Sequence, residues 1–215
     1  MIVMADVGRR GKAELIDNWC WRFASEEDRL YHDGEWGMPV HDDRQMFEHL
    51  SLECLQCGLS WNTILLKRLV IRTCFADFDI DAVAAMDERD VARILAVPGM
   101  LRSPRKTRAI IGNAAAAQRL RREFGSLCAY FWSWTDGKTI LYQGHEKGRL
   151  PTRNGLSERI AHDLKARGFS YVGPVNIYAH LQACGIVCDH AERCPRYAYV
   201  TETFPCVRRR RDHEG

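Results

Sequence analysis

Residues 87–125 read DERDVARILAVPGMLRSPRKTRAIIGNAAAAQRLRREFG, and this stretch decides the fold class. Asp87 is a residue that caps helices, because its carboxylate can accept from the unpaired N–H groups of a first turn. Val91, Ile94 and Leu95 follow at helical spacing before Pro98-Gly99 stops the run. Ser103-Pro104 starts a second helix, since proline is tolerated at the first helical position, and Ile110, Ile111, Leu120 and Phe124 carry it to Gly125. The spacing therefore predicts a helix, hairpin, helix unit over about residues 91–117, with Gly99 in the turn Val97–Arg102. A turn that faces backbone N–H groups outward beside a helix start can cradle phosphate. Arg102, Arg105, Lys106 and Arg108 crowd the same place, which suits a sequence-independent grip on a DNA backbone. A solvated basic face is the competing reading, and it is the expected one for Arg119, Arg121 and Arg122.

Working outward, the same signals recur. Asp42-Asp43 precede Met46, Phe47, Leu50, Cys54 and Cys57, a helical stripe that Gly58 can close, and Ser60 caps a helix running toward Cys74. Asp79 caps a short helix, Ser126 starts an aromatic one ending near Trp134, and two more helices are expected at about 156–167 and 175–184, closed by Gly168 and Gly185. Residues 135–155 read as a long loop with an extended piece, and no alternating strand pattern of useful length is present. The expected class is all-α, a single domain over 18–206 with a flexible tail at 1–17 and a basic tail at 207–215.

Composition bounds the function. The chain has 215 residues, 46% of them hydrophobic, with six Trp and a formal charge of +3, so it can bury a sizeable core. No apolar run reaches the roughly 18 residues of a membrane span, and no export signal is read at the start. Nine cysteines are odd in number and cannot form a complete disulfide framework, so reduced thiols used for packing or metal are expected.

Three further constellations carry chemistry. His190 and Cys194 form an HxxxC, and Cys20 and His32 offer a second Cys/His pair; together they make a closed Cys₂His₂ set for a structural Zn²⁺. Cys184, Cys188 and Cys206 compete as ligands on spacing alone. In LECLQCGLSW, residues 52–61, Glu53 falls on the edge of the buried stripe and needs a partner, because an unpaired buried charge is costly. An ion pair with an Arg, or a hydrogen bond with Gln56, would satisfy it without any function. Both thiols of CLQC fall inside the apolar pattern, which favours packing over redox chemistry. Finally the aromatic residues Trp19, Trp21, Tyr31, Trp36 and Trp61 have polar neighbours; such residues more often fill a core, but YHDGEWG, residues 31–37, mixes rings with carboxylates and glycines in a manner suited to a pocket wall on which a flat heterocycle can stack.

YHDGEWG, LECLQCGLSW, PGMLR followed by RKTRAIIGNA, and QACGIVCDHAERC together closely resemble the DNA-3-methyladenine glycosylase I family, in the right order over about residues 19–194. The resemblance implies a helix-hairpin-helix glycosylase fold, alkylated double-stranded DNA as partner, and a pocket for a flipped alkylated base. It implies a zinc clasp on Cys20, His32, His190 and Cys194, a base-contacting carboxylate at Glu53, and pocket aromatics at Trp21, Tyr31 and Trp61. It further implies a bacterial cytoplasmic protein with neither a membrane nor an obligate protein partner. Three departures stand out: Cys20 abuts Trp21 where the family usually has an intervening residue, a second pocket Tyr of the family aligns with Asp28, and Cys54 and Cys57 replace small residues.

A base methylated at ring position 3 of adenine is cationic in DNA and departs neutral, so recognition by Glu53 between aromatic faces is expected to matter more than a dedicated general base. Two rival classes are a zinc-stabilised, non-catalytic DNA-binding module, which has no need of a carboxylate beside stacked rings, and a metallohydrolase, which needs an open metal rather than two thiolates.

Overall fold

The helix α2 (Asp43–Gln56) is the axis around which the molecule is built, and every residue from Met46 to Leu55 is buried. Apolar side chains on all sides of a helix mark one that is surrounded rather than half-exposed. It is packed by α3 (Trp61–Cys74), α6 (Pro104–Phe124), α7 (Leu127–Ser133) and α9 (Pro174–Ala183). The computed structural model describes residues 20–143 and 150–210. The remaining α-helices there are α1 (Glu26–Gly34), α4 (Ile80–Ala84), α5 (Glu88–Ala96), α8 (Gly155–Ala166) and α10 (Pro195–Thr203), with a 3₁₀ turn at Ala76–Phe78. None of the described helices is long and apolar enough to cross a membrane.

The caps explain the boundaries. Asp42, Ser60, Asp79, Asp87, Ser103 and Ser126 each accept a backbone N–H of the helix that follows, as their residue types predict. Asp43 adds a tertiary link, because its carboxylate accepts from Leu127 N at 3.0 Å and Cys128 N at 2.9 Å and so caps α7 from the start of α2. The two helices expected at 156–167 and 175–184 begin and end one residue earlier.

Three expectations need correction. The class is mostly helical rather than all-α, since β1 (Thr139–Gln143) and β2 (Cys206–Arg210) form a two-stranded parallel sheet. Thr139 to Tyr142 are all buried, so β1 shows no alternation to read. Residues 207–210 are therefore not a tail: they lie in β2, paired residue for residue with Ile140–Gln143, and Val207 packs against the core. Helices α1 and α10 were not anticipated. The signal for α1 was present, because Ser25 caps it and Glu26, Glu27 and Asp28 fill its first turn, where negative charge meets the positive helix end. The expected tail at 1–17, Trp19 and the last five residues lie outside the described residues.

Candidate active site and metal centre

Helix α2 carries two buried carboxylates with opposite surroundings. Glu48 is bound by Arg68 at 2.7 Å and Arg72 at 3.1 Å, and Arg68 also reaches Glu35 at 2.7 Å. Glu53 lies further along the same helix, 6% exposed, and none of the described residues hydrogen-bonds or ion-pairs with its carboxylate. Desolvation alone pushes its pKa up to about 8. The ion pair that would have made Glu53 a structural group belongs to Glu48 instead.

Glu53 faces a cavity of about 500 Å³ whose walls include Trp21, Asp28, Tyr31, Trp36, Trp61 and Gln182. Tyr31 and Trp61 meet at 5.1 Å between ring centroids with a tilt of 52°, and Trp21 stands edge-on to Trp36 at 4.7 Å. Flat, electron-rich faces beside a carboxylate suit a planar cationic ring. The expected pocket residues Trp21, Tyr31, Glu53 and Trp61 are thus gathered in one place. Trp36, Asp28, Gln56 and Gln182 join them; Trp36 stood in a stretch read as a pocket wall, and Asp28 at a position that the resemblance aligned with a pocket Tyr.

Beside the cavity, Cys20, His32, His190 and Cys194 bring one ligand atom each within 4.8 Å of one another, a set that can hold a metal ion. Cys20 Sγ lies 3.5 Å from His190 Nδ1, and Cys194 Sγ lies 3.7 Å from His190 Nδ1 and 3.8 Å from His32 Nε2. The adjacency of Cys20 and Trp21 does not prevent closure. The outer ring nitrogens are each engaged: His32 Nδ1–H donates to Asp33 at 2.8 Å and His190 Nε2–H to the Trp36 carbonyl at 2.9 Å. Both inner nitrogens are thereby left as lone pairs aimed at the centre. Gly37 makes room for this, since its φ is +77° and a Cβ there would lie 2.7 Å from His190 Nε2. Burial holds the His190 pKa down to about 4 and pushes the Cys20 thiol up to about 12. Cys184, Cys188 and Cys206 lie outside the cluster, and all nine thiols are free. The cluster and the cavity share walls, because Trp21 contacts His32 at 4.8 Å and Trp36 contacts His190 at 4.5 Å.

The turn between α5 and α6 presents Gly99 at φ +83°, with Arg102 and Arg105 exposed beside it. Two of the four basic residues there are otherwise engaged. Arg108 pairs with Glu88 at 2.7 Å, and Lys106 Nζ donates to the carbonyls of Leu55 at 2.7 Å and Cys57 at 2.5 Å. Lys106 therefore caps the C-terminal end of α2, a position where a cation also meets the negative helix end.

Residues 19–197 match the methyladenine glycosylase family, so the matched segment ends within α10 and β2 lies beyond it. Over 167 residues the chain is 40% identical to DNA-3-methyladenine glycosylase 1 of Escherichia coli (strain K12), covering 78% of this chain and 89% of that protein. A solved 3-methyladenine DNA glycosylase I superposes with a TM-score of 0.77 at 40% identity, covering 81% of this chain and 96% of the other. Another, solved in complex with 3-methyladenine, has a TM-score of 0.78 at 29% identity and covers 84% and 97%.

Proposed function

This chain belongs to the methyladenine glycosylase family, and from that premise we propose how it hydrolyses the N-glycosidic bond of 3-methyladenine in alkylated DNA. The observation that carries the proposal is Glu53, a buried carboxylate with no protein partner among the described residues, facing a cavity walled by aromatic rings. The nucleotide is extruded from the duplex and its base enters between Trp21, Tyr31 and Trp61. Methylation at ring position 3 makes the base cationic, so the base can leave with the bonding electron pair and become neutral. Water adds at the sugar carbon and a proton is released.

Glu53 acts through recognition. On its own, desolvation keeps the carboxyl protonated near neutral pH. A cation beside it favours the anion, so entry of the lesion releases a proton and gains a charge-assisted hydrogen bond. Unmodified adenine brings no positive charge and leaves the protonated state in place.

The Cys/His set supplies a clasp. Two thiols and two imidazole nitrogens within 4.8 Å of one another are a donor set suited to Zn²⁺, which Cys20, His32, His190 and Cys194 would hold. With four protein ligands the ion would have no position left for water, and its part would be structural. Cys20 and His32 would hold it from the N-terminal side, His190 and Cys194 from the C-terminal side, which fixes Trp21 and Trp36 in the pocket wall.

The helix-hairpin-helix formed by α5, the turn at Gly99 and α6 grips the DNA backbone through outward amides with Arg102 and Arg105, and Lys106 braces α2 from behind. Such work belongs in the bacterial cytoplasm with the chromosome. Purified protein incubated with methylated DNA should release free 3-methyladenine, with Glu53→Gln strongly impaired. Binding to the DNA without any release would instead indicate a non-catalytic DNA-binding protein.

A further inference from the structure

We infer that Asp28 supplies the pocket with a second negative charge and acts as a specificity-determining residue that favours cationic over neutral purines. This deepens the reading above and rests on it. Asp28 lines the same cavity as Glu53 and is 5% exposed. Its two oxygens share the Trp21 indole N–H at 3.2 and 3.3 Å, and one also accepts the Ala24 amide at 2.9 Å. Two N–H donors and no acceptor converge on it, the surroundings that match a carboxylate anion. An ionised carboxylate has roughly four lone-pair sites, so acceptor capacity remains beyond these contacts.

The contrast with other buried acids is direct. Glu48 is neutralised by two arginines, and Asp189 accepts from Tyr178 Oη at 2.6 Å and Gln182 at 2.8 Å outside the cavity wall. Among the described residues lining the cavity, Asp28 and Glu53 are the two carboxylates, and none is Lys, Arg or His. Two acidic groups in one cavity, with no basic residue among its described lining, are complementary to a cation bound there. The donors also differ in kind. Asp28 is held by fixed N–H groups, whereas none of the described residues donates to the Glu53 carboxylate, so Asp28 is the one already oriented before the ligand arrives.

The test uses two uncleavable probes, 3,9-dimethyladeninium, which carries the lesion's fixed charge, and neutral 9-methyladenine. Each is titrated calorimetrically into the wild-type protein, Asp28→Asn, Asp28→Glu and Glu27→Gln, an exposed charge change one residue away on α1. Asp28→Asn should weaken binding of the cation about 10-fold, the scale of removing one nearby opposite charge, while 9-methyladenine is unaffected. Asp28→Glu should retain most of the preference and Glu27→Gln all of it. As a measurement that needs no variant, the Asp28 carboxyl carbon resonance in the wild-type protein should shift on adding the cation and not on adding 9-methyladenine. Equal losses for both probes in Asp28→Asn would reduce Asp28 to an anchor for Trp21 and overturn the inference, as would an unmoved carboxyl resonance. Either result leaves the glycosylase reading standing, whereas a wild-type protein that neither prefers the cation nor releases base from methylated DNA would remove both.

Discussion

Lys106 donates to the carbonyl oxygen of Leu55 at 2.7 Å and again to that of Cys57 at 2.5 Å, so the second helix of the hairpin is fastened to the end of the helix that carries Glu53. A basic residue in the stretch read as a phosphate grip is thereby turned inward. Lys106→Met keeps the aliphatic stem and removes both charged hydrogen bonds. Unfolding by urea should show a loss of about 1–3 kcal/mol, and excision should fall while the salt dependence of DNA binding stays as in the wild type. A reduced salt slope would mean that Lys106 reaches phosphate after all.

Glu53→Gln should stabilise the fold while impairing excision. The Glu53 pKa is raised from an ordinary value near 4.5 to about 8, so the wild-type protein is favoured below pH 4.5 and loses that advantage as pH rises toward 8. The glutamine variant has no such loss and should be more stable by on the order of 2 to 4 kcal/mol at pH 7, with the difference vanishing near pH 4. Thermal melts of both proteins across pH 4–9 measure it. A difference that does not change with pH would show that Glu53 has an ionic partner.

The same titration governs binding. A cationic base should bind the wild-type protein more tightly as pH rises toward 8 and level off above it, because entry displaces the Glu53 proton. In Glu53→Gln the slope should disappear and excision should fall about 10- to 150-fold, the value of one charged hydrogen bond. Single-turnover excision rates at several pH values distinguish this from a flat profile, which would assign Glu53 a packing role.

Cys194→Ser should lower zinc content and thermal stability together, since the binding energy of a structural metal is in part folding energy. Metal analysis of freshly purified wild-type protein should give one Zn²⁺ per chain. A metal-free preparation with full stability would leave the four donors as an unligated packing cluster.

Arg102→Glu with Arg105→Glu should weaken binding to all duplexes alike and lower the salt slope by about one unit per lost contact. Truncation before Cys206 is a different experiment from removing a tail, because it takes the partner strand from β1 and Val207 from the core. It should cost about 1–3 kcal/mol of stability through the lost ladder and packing.

Helix positions were legible because their signals are local. A capping side chain meets the N–H groups of its own first turn, so Asp42, Ser60, Asp87 and Ser103 mark boundaries wherever the rest of the chain goes. The four metal-cluster residues were legible from residue type and spacing together with the resemblance, and the structure brings them together. Local reading failed at β1, whose residues are buried on both faces, and at β2, whose arginines look like a solvated run until their partner strand is known.

What the sequence determined by itself is the helical class, most of the caps, and the side chains available for a metal and a pocket, all of which depend on neighbours within a few residues. What only the tertiary structure decided is which charges are paired. Glu48 and Glu53 sit on one helix, as Lys106 and Arg105 do on another, and nothing in their local sequence says that Glu48 meets two arginines, Glu53 none among the described residues, and Lys106 two carbonyl groups from a distant segment. Desolvation and ion pairing are set by what packs across from a residue, and residues far apart in the chain supply those partners.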